Sequence, residues 1–299
     1  MVAHEPLLKT QQVAQAFRVS GSTIKRWVDS GELPARRTVG RHRLIPLSEA
    51  LRFGRRLGLP VSELQRLGEE GETSLDVGAV DDRLRGHLFE ALHRGDARRV
   101  ESILEAVVAP PLGAAVLADE LIQPVMEQLG HGWEEGLIDV YQEHAASQLV
   151  ASSLMAMNRV RTPSDRPPGP MAIGATPEGD PYQLGLLLGE LTLREEGWDV
   201  RNLGTNLPLN SLANAVRSFR PRLVFLSVSY LIDIEAFIKD YLAFYETAAA
   251  YGVAVVIGGQ AVGPELRTRL VYASIGERMA DLVELARRIA PPAGDARAH

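Results

Sequence analysis

The spacing of apolar positions changes along this chain, and each change predicts a different kind of structure. Near the start, Leu8, Val13, Ala14, Phe17, Val19, Ile24 and Trp27 recur at helical intervals in two short runs. Thr10 and Ser20 are candidate N-caps and Gly31 a stop, so the pattern predicts a helix-turn-helix with Ile24 and Trp27 in its core. The segments ARRTV and HRLIP then flank Gly40 as two β-prone runs, predicting a hairpin wing. Between residues 81 and 160 the helical period returns in four segments, with Gly95, Asp96 and Pro110-Pro111 at the breaks, as expected of an up-down four-helix bundle. Gly130, Gly132 and Gly136 are expected to loosen the chain around Trp133. From residue 171 the runs MAIGAT, WDVRNLG, RLVFLSV and VAVVIGG each precede a helical pattern, with a shorter fifth strand near YASI. Strands alternating with helices predict a flavodoxin-like, doubly wound parallel sheet whose functional loops line its C-terminal edge.

The fold class expected is therefore multidomain, α and α/β: a winged helix-turn-helix over 1–60, a linker over 61–80, a four-helix bundle over 81–161 and an α/β domain over 171–292. The linker is acidic and Gly-punctuated, with room for one short helix, and the Pro-rich stretch 162–170 separates the last two parts. At 299 residues, with 45% hydrophobic and 23% charged residues, the composition is that of a globular protein. No apolar run reaches the length of a membrane span and the N-terminus lacks a signal peptide's apolar core, so the expectation is a cytoplasmic protein with no membrane partner. The absence of cysteine excludes disulfides, thiolate metal sites and thiol catalysis.

Charge divides the chain. Residues 1–60 carry 11 Lys/Arg against 4 Asp/Glu, a balance of +7 within a net −6, so the remainder holds −13. A basic head on an acidic body suits a module that docks on phosphate. On the second helix of the head, Ser22, Thr23, Lys25 and Arg26 fall at the spacing that presents side chains to a major groove, and Arg36, Arg37, Arg41, His42 and Arg43 crowd onto the wing, where they would meet the backbone or minor groove of a double-stranded operator. Farther on, two patterns point to a bound ligand: Trp133 with Glu143-His144 near the start of the last bundle helix, and the loop TPEGDPYQLG after the first strand. Neither Glu143 with His144 nor Asp180 with Tyr182 has a third orienting group at recognisable spacing, and hydrolase, kinase and P-loop signatures are absent, so no enzyme is expected and no catalytic residue is assigned.

Residues 6–58 resemble the winged-helix head of the MerR family, including the basic wing of its compact members. The third part resembles the B12-binding domain of corrinoid methyltransferases, mutases and B12-dependent regulators, on Asp180, Tyr182 and Gly185 after the first strand, Ser227 and Ser229 after a later one, and Gly258-Gly259 after the next. With the tryptophan and Glu-His pattern of the bundle, the order of parts is similar to the light-responsive, adenosylcobalamin-dependent repressors of carotenoid synthesis. The resemblance implies a cobalamin between bundle and sheet, Trp133, Glu143 and His144 above it, loop serines bonding a displaced base, and glycines making way for the nucleotide tail. It also implies a homo-oligomer, dimer or tetramer, whose assembly state sets DNA occupancy. The chain departs from the family in two places. Tyr182 stands where the cobalt-ligating histidine belongs, leaving Asp180 to bond the Tyr182 hydroxyl, and Glu134 replaces the histidine expected after Trp133, with His131 as the nearest substitute. Cobalamin with its own base or water below the metal, cobalt ligation by Tyr182 or His131, a different flat tetrapyrrole or other ligand, or an empty pocket kept for its fold are the alternatives these departures open. A ligand-independent regulator using the domain for assembly is the second functional reading; a methyl-carrier subunit is the third, though such a subunit has no need of a basic head.

Overall fold

The computed structural model describes residues 7–37, 43–61, 64, 78–160 and 169–290. Gly40, Arg41 and His42 of the expected wing, most of the 61–80 linker and residues 161–168 lie outside the described residues. The chain forms two compact units, Met1–Asp76 and Val77–His299. Among the described residues no helix is long and apolar enough to cross a membrane.

The first unit contains β1 (Leu7–Lys9), α1 (Thr10–Ala16), α2 (Gly21–Asp29), β2 (Arg36–Arg37), β3 (Arg43–Pro46) and α3 (Leu47–Leu57). Ser20 caps α2 as expected, its Oγ accepting from the Thr23 N–H at 3.2 Å. Thr10 does not cap α1. Lys9 is the N-cap, and its N–H donates to Gln12 Oε1 at 2.8 Å, so a reciprocal side chain three residues on takes the place of a capping hydroxyl. The hairpin forms with Arg37 opposite Arg43, and β3 also pairs with β1, giving a three-stranded antiparallel sheet. Val13, Phe17, Ile24, Leu33, Ile45 and Phe53 are buried in its core, with the Trp27 ring 5.0 Å from that of Phe53.

The second unit opens with α4 (Asp82–Arg94) and α5 (Ala97–Val108). A continuous helical rod follows, made of α6 (Ala114–Val116), a π-helical stretch (Leu117–Ile122) and α7 (Gln123–Glu134), and α8 (Val140–Val160) returns beside it. Asp96 caps α5 and Gly95, at φ 69°, ends α4, both as expected. The expected loosening around Trp133 does not occur: Gly130 and Gly132 are helical, and Gly132 lacks a Cβ that would lie 2.8 Å from Ile138 Cδ1. The glycine there admits a neighbour, and the backbone turns only at Gly136, φ 71°.

The α/β part runs β4 (Met171–Ala175), α9 (Leu184–Glu195), β5 (Asp199–Asn202), α10 (Leu209–Phe219), β6 (Leu223–Ser227), α11 (Ile234–Ala250), β7 (Ala254–Gly258), α12 (Pro264–Arg269), β8 (Ser274–Gly276) and α13 (Met279–Ile289). Its five strands are parallel in the order β5-β4-β6-β7-β8. Side chains alternate along each strand between two buried faces: Ile173, Val224, Leu226 and Val255 pack with α10 and α11, and Ala172, Leu223, Phe225 and Val256 with α9 and α13. The order reverses between β4 and β6, the switch point at which loops diverge and ligands bind in doubly wound sheets.

Candidate functional site

The sheet's switch point is closed by one carboxylate. Asp180 is fully buried, and its Oδ1 accepts from the Tyr182 N–H at 3.0 Å while Oδ2 accepts from the N–H groups of Ser229 at 2.6 Å and Tyr230 at 3.1 Å. A buried carboxylate is costly unless its lone pairs are filled, and three backbone donors fill them. The Tyr182 hydroxyl is not among its partners, so the expected bond between the two side chains is absent: backbone amides of both loops reach the carboxylate and hold it. Around it, Thr176 Oγ1 donates to the Asp180 carbonyl at 2.7 Å and accepts from the Asn206 N–H at 2.9 Å, and the Gly179 N–H donates to Asn206 Oδ1 at 2.6 Å. The loop after β4 is thus fixed from within. Tyr182 and Tyr230 remain exposed, at 58% and 49%.

Gly185, Ser227, Gly258 and Gly259 are brought to the same edge, but the space their glycines free is taken by the protein itself. A Cβ on Gly185 would lie 2.6 Å from Ser227 Oγ, one on Gly258 would meet the Gly276 carbonyl, and one on Gly259, at φ 113°, would meet the Val228 carbonyl. Deeper in, the Phe225 ring covers Gly174 and Gly189. Ser227 is buried at the end of β6, and Ser229 contributes its backbone N–H.

The bundle is anchored to this domain at three points. Glu195, at the end of α9, accepts from the Ala114 N–H at 2.7 Å; Asp119 accepts from the Met279 and Ala280 N–H groups at 2.7 and 3.0 Å, capping α13 together with Asp281, which accepts from the Arg278 N–H at 2.9 Å; and Asn158 donates to the Leu187 carbonyl at 3.1 Å. The rod therefore climbs from the bottom of α9 past the start of α13 at the sheet's C-terminal edge. At 1.5 Å per residue Trp133 stands roughly 20 Å beyond Asp119, and Glu143 and His144 stand about as far before Asn158 on α8. Trp133, Glu143 and His144 thus stand on the end of the bundle that extends beyond the start of α13. Trp133, Leu137 and Tyr141 are exposed at that end of the bundle, Ile232 and the two tyrosines on the loops. Among the described residues no hydrogen bond joins Glu143 or His144 to those loops. His144 Nδ1 is 2.9 Å from the Val140 carbonyl, and Glu143 Oε1 accepts from Ser147 Oγ at 2.8 Å. His131 Nδ1 lies 3.3 Å from Glu134 Oε2, so the two residues that flank Trp133 in the expected pattern pair with each other.

In the first unit Ser22, Lys25 and Arg26 are exposed on α2 and Thr23 is half-buried, its hydroxyl 2.8 Å from Ser20 Oγ. Arg36 and Arg37 form β2. Arg43 is engaged differently: its Nε and Nη2 donate to Asp29 at 2.8 to 3.1 Å, tying the wing strand to the end of α2. Sequence reasoning did not single out Tyr230, Asp119, Glu195 or Asn158. Tyr230 is placed by a backbone bond that leaves no side-chain pattern, and each of the others finds its partner far along the chain.

Residues 7–53 match a family described as helix-turn-helix domain, and residues 84–157 and 170–286 each match a B12 binding domain family. The monomethylamine corrinoid protein of Methanosarcina barkeri superposes with a TM-score of 0.57 at 15% identity, over 70% of this chain and 98% of that one, which establishes the shared fold of bundle and sheet. The HTH-type transcriptional repressor CarA of Myxococcus xanthus is 29% identical over 49% of this chain and 48% of its own length. The HTH-type transcriptional repressor CarH of the same organism is 32% identical over 217 residues, which are 68% of this chain and 70% of CarH. Both relatives are repressors, in keeping with a chain that is not an enzyme. At that identity and coverage the chain belongs to the CarH family of HTH-type transcriptional repressors, with a helix-turn-helix domain followed by two B12 binding domain segments.

Proposed function

We propose that this chain represses transcription from a double-stranded operator and that cobalamin or a related tetrapyrrole, held between bundle and α/β domain, sets its assembly state and hence its grip on DNA. The observation that supports the reading is the anchoring of the rod by Asp119 and Glu195 onto α13 and α9, which joins the two segments that match B12 binding domain families. α2 enters the major groove with Ser22, Lys25 and Arg26, and the wing, braced by Arg43 on Asp29, follows the backbone. Heads joined by oligomerisation, as dimer or tetramer, gain effective concentration over repeated sites, so a ligand that changes assembly changes occupancy.

The residues present fit a flat macrocycle better than a cobalt ligated by protein from below. Apolar side chains are exposed on both the end of the bundle and the loops, and the loops are hydrogen-bonded to one another through Asp180. Yet no histidine occurs between His144 and His299, so the whole described α/β part lacks an imidazole. Bound cobalamin would supply a corrin face and, as adenosylcobalamin, a cobalt-carbon bond that light cleaves. Trp133, Glu143 and His144 would line the upper side of the ring. The test is the absorption spectrum of the full chain after incubation in the dark with adenosylcobalamin and desalting. Cobalamin bands retained near one per chain are expected, and protein that elutes colourless overturns the reading.

A further inference from the structure

We infer that Tyr182 and Tyr230 form an aromatic floor that holds a planar tetrapyrrole by its face, with Asp180 as the residue that positions both. The inference rests on the ligand reading above and specifies how the site recognises its ligand. The Tyr182 and Tyr230 N–H groups bond opposite oxygens of the same fully buried carboxylate, at 3.0 and 3.1 Å. The two backbones are therefore no farther apart than two hydrogen bonds across one carboxylate, although the residues are far apart in sequence and belong to the loops on either side of the switch point. Their rings are left exposed, more so than any other aromatic side chain of the described α/β part, whereas Trp198, Phe225, Tyr241 and Phe244 are buried. A buried carboxylate that fixes both backbones from below leaves the two side chains projecting from one short stretch of the loop surface. Ile232, 76% exposed, extends the same apolar surface, its Cδ1 packed 2.7 Å from where a Gly179 Cβ would stand. No imidazole is available from this side of the site. The ring is recognised by contact with aromatic faces and not by a bond to its metal.

This assignment separates the aromatic ring of each tyrosine from its hydroxyl. For hydroxocobalamin binding to the full chain, measured by equilibrium dialysis, Tyr182→Phe and Tyr230→Phe keep the wild-type affinity within about twofold. Tyr182→Ala and Tyr230→Ala each weaken it by roughly tenfold, as expected for loss of one buried aromatic contact. Both side chains are exposed, so the alanine variants fold, which circular dichroism checks. The absorption bands of the bound cofactor are the same in wild type and Tyr182→Phe, since no phenolate touches cobalt. If wild type binds and Tyr182→Phe loses as much affinity as Tyr182→Ala, or shifts the bands, the hydroxyl is a ligand and the floor is wrong while the ligand reading stands. Alanine variants that bind like wild type also overturn the floor. Wild type that binds no cobalamin overturns both.

Discussion

Asp180 carries more of this molecule's organisation than its position in a loop suggests. Replacing it with alanine leaves three backbone N–H groups without their acceptor at the junction of two loops, so Asp180→Ala is expected to cost about 3 kcal/mol in urea unfolding and to abolish ligand retention. A loss below about 1 kcal/mol would mean that water replaces the carboxylate freely. At the head, Lys25 and Arg43 separate two uses of positive charge. Lys25 is exposed on α2, and Lys25→Ala is expected to weaken DNA binding and to reduce the salt slope by about 1. Arg43 is bonded to Asp29, so Arg43→Ala is expected to weaken binding through a displaced wing, with a smaller change in slope; fluorescence anisotropy over a salt series distinguishes the two. The candidate residues Asp180, Ser22 and Lys25 were legible because charge and spacing mark them in the sequence. What they bond to was not: the partners of Asp180 are amides, which every residue possesses, and the ion pair of Arg43 spans a turn whose geometry no local pattern specifies.

Elements were legible where one face is buried and one is wet. The four bundle helices and five strands emerge from their periods because amphipathic burial is what forms them. β1 did not emerge, since its three residues are too few to show a period and are held by nonlocal pairing with β3. The anchoring of bundle on sheet was illegible for the same reason: Asp119 caps a helix that begins at Met279. Asp119→Ala is expected to destabilise the second unit by about 1 to 2 kcal/mol, the cost of a lost N-cap, and to increase protease cleavage at the start of α13. Unchanged cleavage would show that Asp119 is dispensable and that Glu195, Asn158 and apolar contacts hold the bundle. Phe225 fills the layer between sheet and α9, so Phe225→Ala is expected to cost about 3 to 5 kcal/mol in thermal or urea unfolding. A cost under about 1 kcal/mol would indicate that the layer collapses readily around the gap.

At the scale of the molecule, a basic head and an acidic ligand-binding body share one chain, and function requires that one influence the other. In the function proposed above the second unit offers the lever: the rod is pinned to α9 and α13, and a ring held between bundle and α/β domain would change the surface its free end presents. Assembly of copies through that surface would pair the heads on repeated sites and convert ligand occupancy into DNA occupancy. The most direct test is the affinity of the full chain for DNA it selects from a random-sequence pool, titrated by anisotropy at fixed salt in the dark with and without saturating adenosylcobalamin. The account predicts that the cofactor shifts the midpoint by at least about tenfold and that the shift disappears in Asp180→Ala, an effect of the usual allosteric size. Superimposable titrations with cofactor demonstrably bound would contradict it, leaving a repressor whose B12 domain does not govern its hold on DNA.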